Sequence, residues 1–129
     1  MTHPVMLVVA AVVERDGCFL ATRRQAGAHL EGYWEFPGGK CRAGESRDQA
    51  LKREMLEELD VEVVSPHEVF ETSHAYPERT VELHFFRCSL NGAPRPVLGQ
   101  EVRWVPRADL VKLQFPPADA EFITHFLLS

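Results

Sequence analysis

The sequence predicts an α/β domain, a mixed β-sheet with helices packed against it. Two observations lead there. Apolar, β-branched runs of strand length recur between turn residues, and two segments carry apolar residues at helical spacing, one in the middle and one at the end. The 129 residues suit one domain, 1–129, around a single core.

Residues 5–14 and Cys18–Arg23 read as the first two strands. The Asp-Gly pair at 16–17 makes their connection a hairpin. Residues 27–32 are loop-like, and 33–36 form a short strand stopped by Pro37, Gly38 and Gly39, which begin a loop. Ser46 is placed to cap a helix, with Gln49 completing a capping box, and that helix runs Arg47–Leu59. Strands are expected at 61–64, 69–73, 80–90 and 102–105, then a short helix near 108–112. Pro116 and Pro117 introduce a last amphipathic helix with Phe122, Ile123, Phe126 and Leu127 on its apolar side.

Composition excludes several classes of function. The longest apolar run, VMLVVAAVV at 5–13, is far shorter than the roughly 18 residues of a membrane span. No basic segment precedes it, so no secretion signal is expected. Cys18, Cys41 and Cys88 are odd in number and form no CxxC pair, which argues against a disulfide framework or a cysteine zinc site and for a reducing, cytoplasmic setting. Net charge is −5, from 14 basic and 19 acidic residues, and the basic residues cluster no further than pairs such as Arg23–Arg24. Polymeric nucleic acid is therefore a poor partner. A small phosphorylated ligand is compatible with that charge if a divalent cation accompanies it.

The stretch that asks for chemistry is the central helix. At 100° per residue, Glu54, Glu57 and Glu58 fall within an arc of roughly 100° beside the apolar Leu51, Met55, Leu56 and Leu59. Like charges at this spacing destabilise a helix by about 0.2–0.5 kcal/mol per pair. A solvated acidic face is the commoner meaning of such a cluster. Here, however, Gly44 and Glu45 precede the helix, and Gly38–Gly39 permit close backbone approach or an exposed carbonyl. Carboxylates and a carbonyl are hard ligands that suit Mg²⁺ or Mn²⁺.

The stretch 39–61 resembles the signature of the Nudix hydrolases, G-x5-E-x7-R-E-U-x-E-E-x-G-U, where U is bulky and aliphatic. Gly39, Glu45, Arg53, Glu54, Met55, Glu57, Glu58 and Val61 fill its defined positions. The exception is Asp60, where the pattern has glycine; Asp enters the left-handed region more readily than most residues, so a small stability cost is expected. The resemblance implies an α/β/α sandwich and hydrolysis of a nucleoside diphosphate linked to another group. It implies that Glu54, Glu57, Glu58 and the Gly38 carbonyl hold the metals, that Arg53 orients the glutamates and that Glu45 supports the loop and helix. Glu54 is also the candidate general base. Glu101, just before a strand, is one more candidate ligand or base, or a solvated strand end.

Over roughly residues 4–128 the chain resembles the MutT branch, which converts nucleoside triphosphates to monophosphate and diphosphate. Within that branch it is similar to 8-oxo-dGTP diphosphatases and CTP pyrophosphohydrolases. Arg24, Glu35, Phe36, Tyr76 and Arg79 match nucleotide-contacting positions of that branch, with Phe36 expected to be at least partly core. Asp119 stands where the MutT pattern has Asn. An ionised Asp only accepts hydrogen bonds, which suits the exocyclic amine of cytosine, whereas a protonated one donates as well. The same residue also suits a helix cap.

Other chemistries find no support. GKCRAGES has phosphate-loop spacing but places Glu45 where lysine is needed, there is no G-x-S-x-G elbow, and HEVFE lacks the second histidine of a zinc protease. The six histidines show no ligand spacing. Two alternatives stay open within the resemblance: hydrolysis of nucleotide sugars or dinucleotides, and a domain that binds nucleotide without turnover. The intact glutamates count against the second. A monomer or weak homodimer is expected.

Overall fold

The computed structural model describes residues 4–127. Its strands are β1 (Val5–Val12), β2 (Glu14–Arg15), β3 (Cys18–Arg23), β4 (Trp34–Glu35) and β5 (Gly38–Lys40), followed by helix α1 (Arg47–Leu59). Then come β6 (Glu62–Ala75), β7 (Thr80–Asn91), β8 (Val102–Pro106), a 3-10 helix (Arg107–Lys112), helix α2 (Pro117–Phe122) and a π-helical turn (Ile123–Leu127).

The expected mixed sheet is present, in the order β5-β1-β7-β6, with β1 and β7 parallel and the other pairs antiparallel. A second, antiparallel sheet of β2, β3, β4 and β8 accompanies it. One core lies between the sheets and α1, where Val9, Ala11, Val13, Leu20 and Phe86 meet Ala50, Leu51, Met55 and Leu59. The other lies on the opposite face, where Ala10, Val12, Phe19, Leu83 and Phe85 meet Leu110, Phe122, Ile123 and Leu127. Alternate residues of β1 therefore serve opposite cores, which is why its sequence is apolar without interruption. Helices on both faces make this an α/β/α arrangement.

Three elements differ from expectation. The strand anticipated over 5–14 divides at Val13, so β1 joins one sheet while β2 pairs with β3 in the other. The Asp16–Gly17 turn is as predicted, with φ of 51° and 76°. The strands expected at 61–64 and 69–73 are one strand, β6, broken in register between Val64 and His67 and between Glu68 and Phe70. Ser65, at φ 51°, and Pro66 occupy the first irregularity, a position where proline's missing N–H is tolerated. Gly38 and Gly39 are not loop but strand, opposite Ala10 and Val9. The last helix is α for only one and a half turns before it widens into the π-helical turn, as its bounds Pro117–Phe122 show. Among the described residues, no helix is long and apolar enough to cross a membrane.

Both ends of α1 are as read. Ser46 Oγ accepts from the Gln49 N–H at 3.1 Å, and the Ser46 N–H donates to Gln49 Oε1 at 2.9 Å. Asp60 ends the helix in the left-handed conformation, φ 50° and ψ 46°, donating its N–H to the Leu56 carbonyl. Its carboxylate meets Arg95 at 3.2 Å in an exposed pair that contributes little. Asp60→Gly is therefore expected to stabilise the fold by about 0.5–1 kcal/mol, by removing the left-handed strain at a non-glycine residue. Urea unfolding of the variant tests this, and an unchanged or lower midpoint would sink it.

Candidate active site

Helix α1 buries Ala50, Leu51, Met55 and Leu59, which fixes its rotation and leaves Arg53, Glu54, Glu57 and Glu58 at the border of the core. Arg53 draws the acidic groups together. Its guanidinium donates to both oxygens of Glu45 at 2.7 and 3.0 Å, to Glu54 at 2.8 Å, to Glu57 at 3.3 Å and to the Lys40 carbonyl at 2.9 Å. Arg42 adds a longer contact to Glu57, 3.6 Å. The helix, the segment before it and the end of β5 are thus tied at one side chain. Gly39 is glycine for the same reason: a Cβ there would lie 2.4 Å from the Glu54 carboxyl carbon. At Gly38 a Cβ would lie 1.9 Å from the Val9 carbonyl oxygen.

Hydrogen bonds from Arg53 and then the Arg42 backbone hold the Glu45 carboxyl down to about 2. Glu58 goes the other way. Burial, then the charges of Glu54 and Glu35 and a hydrogen bond with Glu54, push it up to about 8. Burial also raises Glu35, against the opposing pull of Arg24, whose Nη1 donates to it at 2.8 Å. Crowded carboxylates that retain protons at neutral pH are a donor set short of positive charge, and hard oxygen donors of this kind fit Mg²⁺ or Mn²⁺.

Two openings meet at Arg24. The larger, about 450 Å³, is lined by Arg24, His29, Lys40, Tyr76 and Arg79 among others. The smaller, about 160 Å³, includes Arg24, Glu35, Glu58 and Gln100. Tyr76 and Arg79 enter from the β6–β7 turn, where each backbone N–H donates to the other's carbonyl. Arg24 is braced by a donation to the His29 carbonyl. His29, Lys40 and Gln100 were missed in the sequence. Lys40 follows the Gly38–Gly39 pair directly, a signal that was available, whereas His29 and Gln100 reach the site only through the fold.

Phe36 is core: it stacks on Phe115 at 5.4 Å and meets Phe85 and Phe122 edge-on. What it offers the site is its backbone N–H, which donates to Asp119 Oδ2 at 3.2 Å. Asp119 is buried inside α2, whose N-cap is Pro116 and whose start has no side-chain cap, so Asp119 is not the cap of that helix. Burial pushes its carboxyl up to about 7, the Phe36 N–H pulling the other way. Glu101 is exposed and faces arginines, Arg23 at 3.4 Å and Arg103 at 3.0 Å, and neither belongs to the α1 cluster.

The model of the NUDIX domain family matches residues 8–125. The chain belongs to the Nudix family. A CTP pyrophosphohydrolase from Escherichia coli K12 is 33% identical over 121 residues, covering 93% of this chain and 90% of that one. An 8-oxo-dGTP diphosphatase from Haemophilus influenzae is 33% identical over 129 residues, covering 98% and 95%. The solution structure of the E. coli ORF135 protein superposes with a TM-score of 0.87 at 31% identity, covering 98% of this chain and 91% of that one. The MutT protein of methicillin-resistant Staphylococcus aureus 252 superposes at 0.79 with 31% identity, covering 95% of each. The Nudix signature thus coincides with the Arg53 network, and the one departure from it, Asp60, lies outside that network.

A pH dependence follows. The Glu58 carboxyl rises from 4.5 in the unfolded chain to about 8 in the fold, so the folded protein binds the extra proton between those values. Without metal, stability therefore falls as pH rises through that window. Asp119 and Glu35 add to the decline in its lower part, Asp119 up to about 7. Glu58→Gln is expected to flatten the curve above pH 7 and reduce the slope below it. Urea unfolding in chelator across pH 5–9 measures this, and parallel curves for variant and wild type would refute it.

Proposed function

We propose that this Nudix protein is a MutT-type pyrophosphohydrolase. It converts a (d)NTP and water to (d)NMP and diphosphate and acts on modified or surplus nucleotides of the 8-oxo-dGTP or CTP/dCTP class. The observation that carries the reading is the carboxylate cluster braced by Arg53, joined through Lys40 to a cleft lined by Arg24, His29 and Arg79. The names of the relatives support it.

In this reading Glu54, Glu57 and Glu58, with the Gly38 carbonyl, hold Mg²⁺ or Mn²⁺. When bound, the metal neutralises phosphate charge and polarises the anhydride. Arg53 and Glu45 keep the glutamates in place, and Glu54 takes the proton of the attacking water on its carboxylate. Arg24, Lys40, His29 and Arg79 bind and orient the phosphates, with Tyr76 at the cleft wall. Asp119 reads the base, supported by Glu35 and by the Phe36 backbone that fixes it. Glu101 enters as a further metal ligand only by leaving its arginines. The chain works as one domain in the cytoplasm, as a monomer or weak homodimer, on free nucleotides and not on nucleic acid polymers.

Asp119 gives the reading a selectivity. Ionised, it accepts from the N4 amine of cytosine. Protonated, it also donates, which suits an oxidised purine carbonyl. With its carboxyl near 7, both forms are present around neutrality. The rate of dCTP relative to 8-oxo-dGTP is expected to rise as pH increases from 6 to 8, and Asp119→Asn to abolish that trend. Glu58 also titrates here, but it acts on both substrates and leaves the ratio unmoved.

The experiment is product identification with Mg²⁺ and CTP, dCTP, 8-oxo-dGTP, dGTP and an ADP-sugar. Monophosphate plus diphosphate from a triphosphate is the expected result. Glu54→Gln and Glu57→Gln should each lower kcat by at least about 10²-fold with unchanged circular dichroism. Turnover of the ADP-sugar alone, or none at all, would replace the reading by one of the two alternatives. Substantial activity in Glu57→Gln would overturn the metal assignment.

A further inference from the structure

On the sheet face that carries α1, two strands away from Gly39, lies a second group of ligand-type side chains. His84 on β7 is fully buried, 0% exposed. Its Nδ1 lies 2.7 Å from Glu68 Oε2 and 3.5 Å from Glu71 Oε2, and its Nε2 lies 2.7 Å from Glu82 Oε1. The register His84–Val9–Gly39 puts one β1 residue between this group and the glycine under Glu54. It shares no residue with the Arg53 network.

The backbone builds the group. Residues three apart on a regular strand point to opposite faces. The irregularity between Glu68 and Phe70 changes this: Val69 and Phe70 both pack into the core on the α2 side. Glu68 and Glu71 are left together on the other face, beside His84. Bulges commonly re-aim a side chain in this way.

The imidazole is the second observation. A neutral histidine has one N–H and satisfies one of these carboxylates. Its other nitrogen then presents a lone pair to acceptors, inside the protein and out of water. Nε2 donating to Glu82 leaves Nδ1 turned toward Glu68 and Glu71. A histidine that gives one N–H to a carboxylate and aims its other nitrogen at two more has the outer-shell arrangement of metal-binding histidines. The charges agree. Arg47 meets Glu68 at 3.0 Å, and with neutral His84 the three carboxylates exceed it by two units, the charge of one dication.

We propose that Glu68, Glu71 and His84 form a second divalent-cation site, separate from the α1 glutamates. The nitrogen ligand selects a borderline ion of the Zn²⁺ or Co²⁺ type over Mg²⁺. Their ligand atoms already lie within 4.8 Å of one another. Bond lengths of about 2.0–2.2 Å in a tetrahedron require separations near 3.3–3.5 Å. The Glu71 contact has that value, and Glu68 needs to open by roughly half an ångström. Glu71 is the exposed wall, so the ion enters from solvent and water completes its shell. Bound there, it pins β6 to β7 and, through Glu68 and Arg47, to the first turn of α1.

The test is titration of the chelator-treated protein with Co²⁺, read by calorimetry and by visible absorption, which is intense for a four-coordinate site with an imidazole. The expected result is one such site. Glu71→Gln weakens it at least ten-fold, Glu82→Gln weakens it by 10- to 100-fold, and Glu57→Gln leaves it unchanged. Glu71 is exposed enough for its variant to fold normally. Zn²⁺ should also shift the His84 Nδ1 resonance in ¹⁵N spectra. The proposal is overturned if Co²⁺ fails to bind, if it binds Glu71→Gln and Glu68→Gln as it binds the wild type, or if it is lost with Glu57→Gln. It is overturned too if both nitrogens of His84 stay protonated at saturating Zn²⁺, which would make the group a buried imidazolium among carboxylates. Because Glu57→Gln removes only the α1 ligands, failure here and failure of the pyrophosphohydrolase reading are distinguishable.

Discussion

The Arg53 guanidinium is the constraint on which the rest of the site depends. Three glutamates within one and a half turns of helix repel, and burial of Glu54 and Glu58 against the core makes that repulsion stronger than it is on a surface. Arg53 answers it with a planar fork that engages Glu45 through both oxygens and still reaches Glu54 and Glu57. A lysine has one charge on a point and no such geometry. Because the same side chain reaches the Lys40 carbonyl, the position of the helix and the position of β5 are set together. Glu58 is beyond its reach, and its raised pKa shows what the other glutamates would do without it.

The backbone around Arg53 is arranged to let the helix come close. Gly38 and Gly39 have no Cβ because the Val9 carbonyl and the Glu54 carboxyl occupy the space one would fill. That closeness is what makes the edge strand β5 and the helix two walls of one site. Behind them, the phenylalanine cluster of Phe36, Phe85, Phe115 and Phe122 gives β4 and α2 a fixed separation. The Phe36 N–H thereby meets Asp119 across 83 residues of sequence. The two halves of the site, phosphate chemistry and base reading, are therefore anchored in different cores, one on each face of the sheet.

How much of this was legible in the sequence follows from range. Interactions within a few residues were readable: the Ser46–Gln49 box, the Asp16–Gly17 turn, the left-handed Asp60 and the spacing of Glu45, Arg53, Glu54 and Glu57 along one helix. The division of the first strand at Val13 was not, because Val13 and its neighbours are equally apolar and only the second sheet distinguishes them. The continuity of β6 was hidden by Pro66, which ordinarily ends a strand and here sits in a bulge. Gly38–Gly39 looked like turn residues and are instead residues of close approach. The carboxylates around His84 were invisible for a different reason. They come from two strands and depend on a bulge, so no spacing in the sequence brings Glu68, Glu71 and Glu82 to one imidazole.

The distribution of charge shows why net charge is a weak guide to ligand sign. At −5 the protein is acidic, and a polyanionic ligand looks excluded on that number alone. Yet Arg24, His29, Lys40 and Arg79 line one cleft, while the excess carboxylates collect on α1 and on the β6–β7 face. A triphosphate in that cleft meets four basic groups on one side. The α1 carboxylates on the other repel it unless a cation stands between. The acidic cluster therefore does not oppose the phosphates; it makes their binding conditional on metal, so that affinity for nucleotide and competence for hydrolysis arrive together. The sign of each surface, and not their sum, decides what the site accepts.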